Sequence, residues 1–514
     1  MLKRLFQRPF ASLQQQVIGR VDRLHFGWCW LGLFTWCLFF NLYGITAGPL
    51  YRTEGLRAMV ARCGWQEGQW LYPVLFGEPF LTKPPGHYLA IQLCSLPWGE
   101  VTPVSARLPS VLASFSTSIA LLLLLKGVIR PAMAAMAAAV LPLSLLWLDK
   151  VPSAEIDMTL TGWLSLALVA WSRAMPRPVW AGSNDTTRGQ RWHRGWLCGA
   201  AGSLTAATLS KWTAPAFFLV TIGCFAWLDR QWHSWRRWEP WTALAVAASG
   251  CLLWAAAVAQ SVGLPLLLDT LQQEAAYRLL SHTAAKGGLW SAWLGFPLSV
   301  LAALLPLSLP ALLLLVPHYR QRLEPPVQRL ALFLHCWAWP NLLFWTVVPN
   351  HNVRYVLPIA PAVAGLGVLG GYLIMADGQR RWPRYRRRFY WGIAAMFVLG
   401  VAVKVVWVEV VIPARTARRN PVPVAAQLRT LIPEHETLYI DKLKDEGVMF
   451  YYGRAVRRWR GQSPLPVGAY LALTATEWQH CQHQGYAPVA FLQDQQGDPL
   501  IVVRVAEQCQ IGRR

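Results

Sequence analysis

Twelve acidic and basic side chains of this 514-residue chain fall on the predicted outer face of its apolar segments or just beneath it. A carboxylate can accept a proton from a hydroxyl group, and Lys or Arg can stabilise the charge of a departing phosphate. An ionisable group costs on the order of 2.5 to 3.5 kcal/mol in the middle of a membrane span, so such a gathering indicates a polar cavity. The twelve residues are Glu54, Arg57, Glu78, Lys83, Asp149, Lys150, Glu155, Asp157, Lys211, Glu274, Arg278 and Arg354.

The composition predicts a protein that crosses a membrane several times. Hydrophobic residues make up 54% of the chain and charged residues only 14%, which is too apolar for a soluble protein with ordinary cores. Apolar runs such as 27–45 and 391–412 approach the roughly 20 residues needed to cross a bilayer. The first run lacks a convincing cleavage site, so it is interpreted as a retained span rather than a signal peptide.

The basic residues predict the orientation of the spans. The formal net charge is +23, and most of the excess lies in short connections between apolar runs. Such connections are typical of cytoplasmic loops, so we expect no nucleic-acid partner. With the N-terminus inside, about eleven spans result, and short or re-entrant helices would raise the number to about 13. The spans lie near 27–47, 107–125, 131–148, 158–173, 196–210, 212–228, 240–261, 290–316, 329–348, 355–375 and 390–412.

Two segments are expected outside the membrane. The first outer loop covers residues 48–106 of a membrane domain that covers residues 1–412. Within that loop we expect a helix over 84–98 at the outer surface, with His87 exposed on it and Tyr88 as an interfacial anchor. Residues 413–514 alternate short strand patterns with helical ones, which predicts a small α/β domain outside the membrane.

The ten cysteines show no metal-ligand spacing. Most of them lie in predicted spans, where a small buried side chain is the ordinary interpretation. On the predicted outer side, Cys63 with Cys94 and Cys481 with Cys509 could form disulfides, and the sequence leaves this open.

A set of motifs in a fixed order resembles a known family. The segment "RTEGLRAMVARCGWQEGQWLYPVLFGEPFLTKPP" resembles the first outer loop of the superfamily that contains protein O-mannosyltransferases and lipid A aminoarabinose transferases. "SARLPSVLAS", "AEIDMTL", "LSKWTAP", "QQEAAYR" and "NHNVRYVLPIAP" resemble further elements of that superfamily, in the same order along the chain. Together they extend over roughly residues 25–375. The resemblance implies an α-helical membrane enzyme with the C-type glycosyltransferase fold.

The resemblance also implies roles for individual residues. Glu54 and Asp157 are matched to its acidic sites, and either is a candidate general base. Lys83, Arg278 and Arg354 are the candidate ligands of the donor phosphate, with Lys211 in a secondary role. Candidate substrate-binding residues are Arg57, Glu78, Glu274 and Tyr355.

Three positions depart from the family pattern. The leading Asp of its Asp-Glu pair is Thr53 here, so Glu54 alone would carry the acidic role in this loop. Arg57 lies one place later than the family's arginine, which rotates it by about 100° on a helix. His351 takes the place of a lysine. These departures predict a divergent branch, with a different donor sugar or acceptor as one consequence.

The resemblance implies transfer of a sugar from a polyprenyl-phosphate donor to an acceptor outside the cytoplasm, with inversion at the anomeric carbon. The acceptor could be lipid A, a glycan, another lipid or a protein. Because the lipid phosphate is itself the leaving group, neither a metal nor another cofactor is required in principle. We expect a multi-pass protein of the bacterial inner membrane whose active site and C-terminal domain face the periplasm. A transporter or flippase of lipid-linked sugars, and a non-catalytic binding protein of the same fold, are the alternatives.

Overall fold

The computed structural model describes residues 21–179, 192–230, 232–280, 289–348, 351–381, 384–461, 464–481, 485–493 and 497–506. Most of this part is helical. Its α-helices are α1 Val21–Leu42, α2 Thr53–Gln66, α3 Gly86–Ser95, α4 Pro103–Leu125, α5 Pro131–Val140, α6 Leu145–Lys150, α7 Ile156–Ala174, α8 Arg194–Ser210, α9 Ala214–Leu228, α10 Trp232–Trp235, α11 Trp238–Val262, α12 Leu264–Leu280, α13 Leu289–Ala303, α14 Ser308–Leu313, α15 Pro317–Arg320, α16 Pro325–Val347, α17 Ala360–Arg381, α18 Tyr385–Val406, α19 Ile412–Arg418, α20 Val422–Leu431, α21 Glu446–Tyr452 and α22 Ala475–Cys481.

Helices occupy the segments predicted to span the membrane. Within the described ranges, five are long and apolar enough to cross a bilayer, namely Pro103–Leu125, Trp238–Val262, Pro325–Val347, Val353–Gln379 and Arg387–Arg418. Shorter apolar helices cover Leu31–Leu42, Pro131–Leu143, Ala214–Leu228 and Trp293–Ala303. The predicted spans 131–148 and 290–316 are each broken into successive shorter helices. The polytopic α-helical fold class is therefore confirmed.

The start of α4 is set by local hydrogen bonds. The backbone N–H of Ser105 donates to Thr102 Oγ1 at 3.1 Å, and the backbone N–H of Thr102 donates to Ser105 Oγ at 2.9 Å. This reciprocal cap satisfies two donors that a helix end leaves unpaired, and Pro103 at the first helical position needs no donor at all. It fixes Arg107 in the second turn of α4, close to the first outer loop.

The first outer loop is folded. It contains α2, a two-stranded hairpin of β1 Val74–Leu75 and β2 Glu78–Pro79, and α3. Between the strands, Phe76 and Gly77 both have positive φ values, of 56° and 84°, which is the conformation that a two-residue hairpin turn requires. A 3₁₀ helix, Leu96–Trp98, continues α3, so the segment 84–98 is largely helical, as predicted.

The C-terminal α/β domain is confirmed as a mixed five-stranded sheet with helices α20 to α22. Its strands are β3 Leu438–Ile440, β4 Val456–Arg458, β5 Tyr470–Thr474, β6 Tyr486–Gln493 and β7 Pro499–Val505, in the spatial order β4-β3-β5-β7-β6. β3 runs parallel to β4 and β5, whereas β7 is antiparallel to β5 and β6. One sheet face contributes Leu438, Ile440 and Val502 to a core that it shares with Met59 and Phe76 of the first outer loop.

The sequence left a disulfide between Cys63 and Cys94 open, and in the structure both are free thiols. Cys63 is buried in α2, as an ordinary small apolar side chain would be. The other pairing involves the side chain of Cys481 and residue Cys509, which lie outside the described part.

Candidate active site

A cavity of about 360 Å³ lies between the first outer loop, the segment before α7, and the last long helix. Its volume is within the range of small-molecule sites. Its lining carries more cationic than acidic side chains, so it favours an anion. The charged lining residues are Arg52, Arg107, Lys150, Arg354, Lys404, Arg415 and Arg419, with the acids Glu54, Asp149 and Glu155.

Glu54 lines this cavity from the first turn of α2. Its Oε1 accepts hydrogen bonds from the backbone N–H of Ala154 at 2.8 Å and from Arg107 Nε at 3.1 Å, and its Oε2 accepts from Arg107 Nη2 at 3.3 Å. Arg107 also donates to the backbone carbonyls of Ile45, Ala47 and Gly48. The Glu54 carboxylate is thus fixed on both oxygens, and it ties the outer loop to α4.

Glu155 lies among the cations of the cavity. Its Oε1 accepts hydrogen bonds from Thr53 Oγ1 at 2.8 Å and from Arg354 Nη1 at 3.2 Å, and it lies 3.6 Å from Lys150 Nζ. Burial alone would lower the pKa of Lys150, but the charges of Glu155 and Asp149 raise it, so its ammonium group is protonated at neutral pH. The sequence motifs assigned no role to Glu155.

Asp157 lies behind this group, at the start of α7. Its Oδ1 accepts a hydrogen bond from Lys211, and its Oδ2 is 3.9 Å from Arg354 Nε. Lys211 Nζ is 4.3 Å from the centre of the Tyr355 ring, a distance typical of a cation–π contact. Arg354 therefore joins Glu155 to Asp157, and the predicted residues Asp157, Lys211, Arg354 and Tyr355 form one cluster. Of these four, Arg354 lines the cavity.

Lys83 and Glu274 form a separate pair. Lys83 Nζ is hydrogen-bonded to the Glu274 carboxylate and to the backbone oxygen of Thr82. Glu274 lies on α12, so this pair joins the first outer loop to the helix that follows α11. Neither residue lines the cavity. The backbone of Arg278 lies on the same helix, but its side chain is outside the described part.

The prediction that His87 is a surface residue is wrong. His87 is fully buried, and its Nδ1 is 2.8 Å from Thr159 Oγ1 on α7. Burial, with a smaller contribution from the charge of Arg57, lowers the pKa of His87 to about 3. Tyr88 is buried as well, rather than interfacial, and its hydroxyl accepts a hydrogen bond from Arg57. Both predictions failed because α3 packs against α2, α4 and α8, and His87 reaches Thr159 of α7.

Glu78, a candidate substrate-binding residue, does not line the cavity. Its Oε2 accepts hydrogen bonds from Arg460 Nε at 3.1 Å and Nη2 at 2.6 Å, in a partly exposed pair with the C-terminal domain. Arg57 also lies outside the lining, against Tyr88.

Among the charged lining residues that sequence reasoning missed are Arg107, Glu155 and Lys404. Arg107 had been interpreted only as part of a helix-start motif, and Glu155 only as an outer-face charge. Lys404, on the last long helix, is buried and donates to the backbone oxygen of Val151 at 3.2 Å. A lysine in the middle of an apolar span was the available signal, because such residues usually have a partner or a task. No group of three His, Cys, Asp or Glu residues that could hold a metal occurs in the described ranges.

No protein-family model and no curated protein matches the chain. Among solved structures, ArnT from Cupriavidus metallidurans bound to undecaprenyl phosphate is 18% identical, with a TM-score of 0.65, over 95% of this chain and 99% of that chain. The same protein in the apo state is 17% identical, with a TM-score of 0.64 and the same coverage. The archaeal oligosaccharyltransferase AglB from Archaeoglobus fulgidus, in complex with an inhibitory peptide and a dolichol-phosphate, is 10% identical, with a TM-score of 0.47, over 96% and 75%. The likeness to ArnT confirms the predicted C-type glycosyltransferase fold.

Proposed function

We propose that this protein is an integral-membrane glycosyltransferase that moves a sugar from a polyprenyl-phosphate donor to a hydroxyl group of an acceptor outside the cytoplasm. The observation that carries the proposal is the cationic cavity in which Glu54 and Glu155 lie beside Arg354 and Lys150. Cations for a leaving phosphate and carboxylates for a hydroxyl proton are the groups that this reaction needs. ArnT, which has the same fold, was solved with undecaprenyl phosphate bound.

Arg354 is the first candidate for contact with the donor phosphate, because it lines the cavity and carries a guanidinium that can donate two parallel hydrogen bonds to phosphate oxygens. Lys150, 3.6 Å from the same Glu155 oxygen that Arg354 contacts, would add a second positive charge. The roles of Lys83, Lys211 and Arg278 at the phosphate stay predictions from the ordered motifs.

In the proposed step, the acceptor oxygen forms a bond to the anomeric carbon while the bond from that carbon to the phosphate oxygen breaks. The bonding electron pair leaves on the polyprenyl phosphate, whose added negative charge the cations stabilise. The hydroxyl proton passes to a carboxylate of the site. Attack from the face opposite the phosphate inverts the anomeric carbon, and the step as written uses neither a nucleotide nor a metal ion.

We further propose a bacterial inner-membrane location, with the cavity and the C-terminal domain on the periplasmic side. The acceptor would be lipid A, a glycan, another lipid or a protein. The C-terminal domain packs on the first outer loop through a shared core, so it is well placed to select the acceptor.

The test is a transfer assay with protein purified in detergent. Radiolabelled polyprenyl-phosphate sugars are supplied one at a time with a lipid and polysaccharide extract, and the label is followed into product. Arg354→Gln should lower the transfer rate by about 10² to 10³-fold, the usual cost of losing one preorganised charge-stabilising group. Lys83→Ala tests the role implied by the motifs separately.

Lys444→Ala, at an exposed position of the C-terminal domain, is the matched control for loss of a cation and should transfer at the wild-type rate. Absence of transfer from every donor, with undecaprenyl phosphate still bound, would contradict the enzyme and favour the flippase or binding alternatives. Wild-type transfer rates in folded Arg354→Gln protein would remove Arg354 from the site.

A further inference from the structure

Four acids lie in or beside the cavity. Asp149 lines it but is held at both oxygens, with Lys150 Nζ 2.9 Å from Oδ2 and Arg415 Nη1 donating to Oδ1 at 3.3 Å. The other three could accept the acceptor's proton, and their surroundings differ.

Glu54 lines the cavity, but Arg107 and the backbone N–H of Ala154 occupy both of its oxygens. Because both oxygens already accept hydrogen bonds, this carboxylate offers less room for a hydroxyl group to approach and donate a proton. Its contacts assign it to holding the loop in place.

Asp157 is also poorly placed. It forms a buried ion pair with Lys211, and it does not line the cavity. A hydroxyl group that enters the cavity would meet Arg354 and Glu155 before it reached Asp157. Asp157 therefore serves to hold Lys211 and Arg354.

Glu155 differs from both, because its carboxylate is held at one oxygen. Within the described part of the chain, Thr53 and Arg354 donate hydrogen bonds to this carboxylate, and both bonds are accepted by Oε1. Its other oxygen, Oε2, has no such contact there, and the residue lines the cavity. One oxygen thus fixes the orientation of the group while the other is left for a proton.

The position of Glu155 also accounts for an irregularity of the sequence. The family that the first outer loop resembles carries an acid immediately before Glu54, where this chain has Thr53. The Thr53 hydroxyl lies 2.8 Å from Glu155 Oε1. A carboxylate from a segment about a hundred residues later thus lies beside the position where the resemblance implies an acid.

We propose that Glu155 is the catalytic base of the transfer, and that Thr53 orients it; this rests on the glycosyltransferase function proposed above. The donor phosphate draws Arg354 and Lys150 toward itself and away from Glu155. The acceptor hydroxyl then gives its proton to Glu155 Oε2 as its oxygen bonds to the anomeric carbon, and the phosphate leaves with the electron pair of the broken bond. Glu155 returns the proton to solvent after product release.

The first test is Glu155→Gln, which keeps a carbonyl oxygen for Thr53 and Arg354 but cannot take a proton. We expect kcat to fall by about 10² to 10⁴-fold, the usual contribution of a general base. KM for the donor and binding of undecaprenyl phosphate should stay within about threefold of wild type, since the cations remain. Glu434→Gln, at an exposed site of the C-terminal domain, is the matched control and should leave kcat unchanged.

A second test moves the acid to its neighbour. In the double variant Thr53→Asp with Glu155→Gln, the new carboxylate lies where the Thr53 hydroxyl contacted Glu155, so at least about tenfold of the lost kcat should return. Thr53→Asn with Glu155→Gln has nearly the same shape without the acid and should recover nothing. Azide needs no base, so Glu155→Ala supplied with azide should form glycosyl azide at a rate above its transfer to the hydroxyl acceptor.

If the wild-type protein transfers sugar and the kcat of Glu155→Gln stays within about threefold of the wild-type value, Glu155 is not the catalytic base. That result would leave the enzyme proposal intact. Equal rates in the Asp and Asn double variants would also overturn it. A fall in donor binding without a fall in kcat would assign Glu155 to holding cations instead. Wild-type protein without transfer from any donor would remove both proposals.

Discussion

Replacement of Arg107 by alanine should destabilise the protein more than loss of any surface ion pair. Arg107 is 3% exposed, donates to the carbonyls of Ile45, Ala47 and Gly48, and holds both oxygens of Glu54. Removal of one partner from a buried ion pair costs about 3 to 5 kcal/mol, because the other charge stays buried without compensation. Arg107→Lys keeps the charge but cannot reach all of these acceptors, so it should lie between alanine and wild type.

The assay is the midpoint of thermal unfolding in detergent, followed by tryptophan fluorescence at one scan rate. For a chain of this size the Arg107→Ala midpoint should drop by about 3 to 10 °C, at roughly 1 to 2 °C per kcal/mol. The control is Arg457→Ala, which removes a pair with Glu67 in which the arginine side chain is 53% exposed. Exposed pairs are worth about 0 to 1 kcal/mol. Equal drops for the two variants would refute the role given to the Arg107 network.

Three further outcomes follow from single contacts. Gly55→Ala would place a Cβ 2.7 Å from Gly447 Cα, so it should lower the free energy of unfolding by about 1 to 3 kcal/mol. In the control Gly202→Ala, the new Cβ meets no neighbour within 4 Å, so this variant should not be destabilised. Equal unfolding midpoints for the two variants would contradict the close packing at Gly55. The pKa of His87, about 3, lies below the 6.5 of an unfolded histidine, so the unfolded chain binds the proton first and stability should fall from about pH 6.5 toward pH 3. His87→Leu should make the midpoint less dependent on pH in that window, and an unchanged slope would contradict the burial of His87. Glu78→Gln should change the midpoint by the equivalent of less than about 1 kcal/mol and leave transfer intact, because its ion pair lies at the surface; loss of transfer would return Glu78 to the site.

The sequence predicted those features that depend on local pattern. Apolar runs predicted the helices, because burial in a bilayer needs long apolar segments. The ordered motifs also predicted that Glu54 and Arg354, which are far apart in the chain, belong to one site, and both residues line the same cavity. In both cases the signal was a regular run or a set of motifs in fixed order.

Other features depend on contacts between distant segments. Lys404 reaches the cavity by packing against Val151, and no spacing rule relates the two positions. His87 was predicted to be exposed because its helix was expected to lie at the outer surface, but α3 packs against α2, α4 and α8, and His87 contacts Thr159 of α7. The shared core of the first outer loop and the C-terminal domain likewise joins residues that are hundreds of positions apart, such as Phe76 and Leu438.

The stoichiometry of the reaction with purified wild-type protein distinguishes a glycosyltransferase from a flippase or a binding protein. Free polyprenyl phosphate released and sugar joined to the acceptor are measured in the same reaction mixture over time. The glycosyltransferase account predicts one lipid phosphate released for each sugar transferred, with both processes slowed together in Arg354→Gln protein. Lipid-linked sugar that is bound or moved across vesicles without release of polyprenyl phosphate would contradict it.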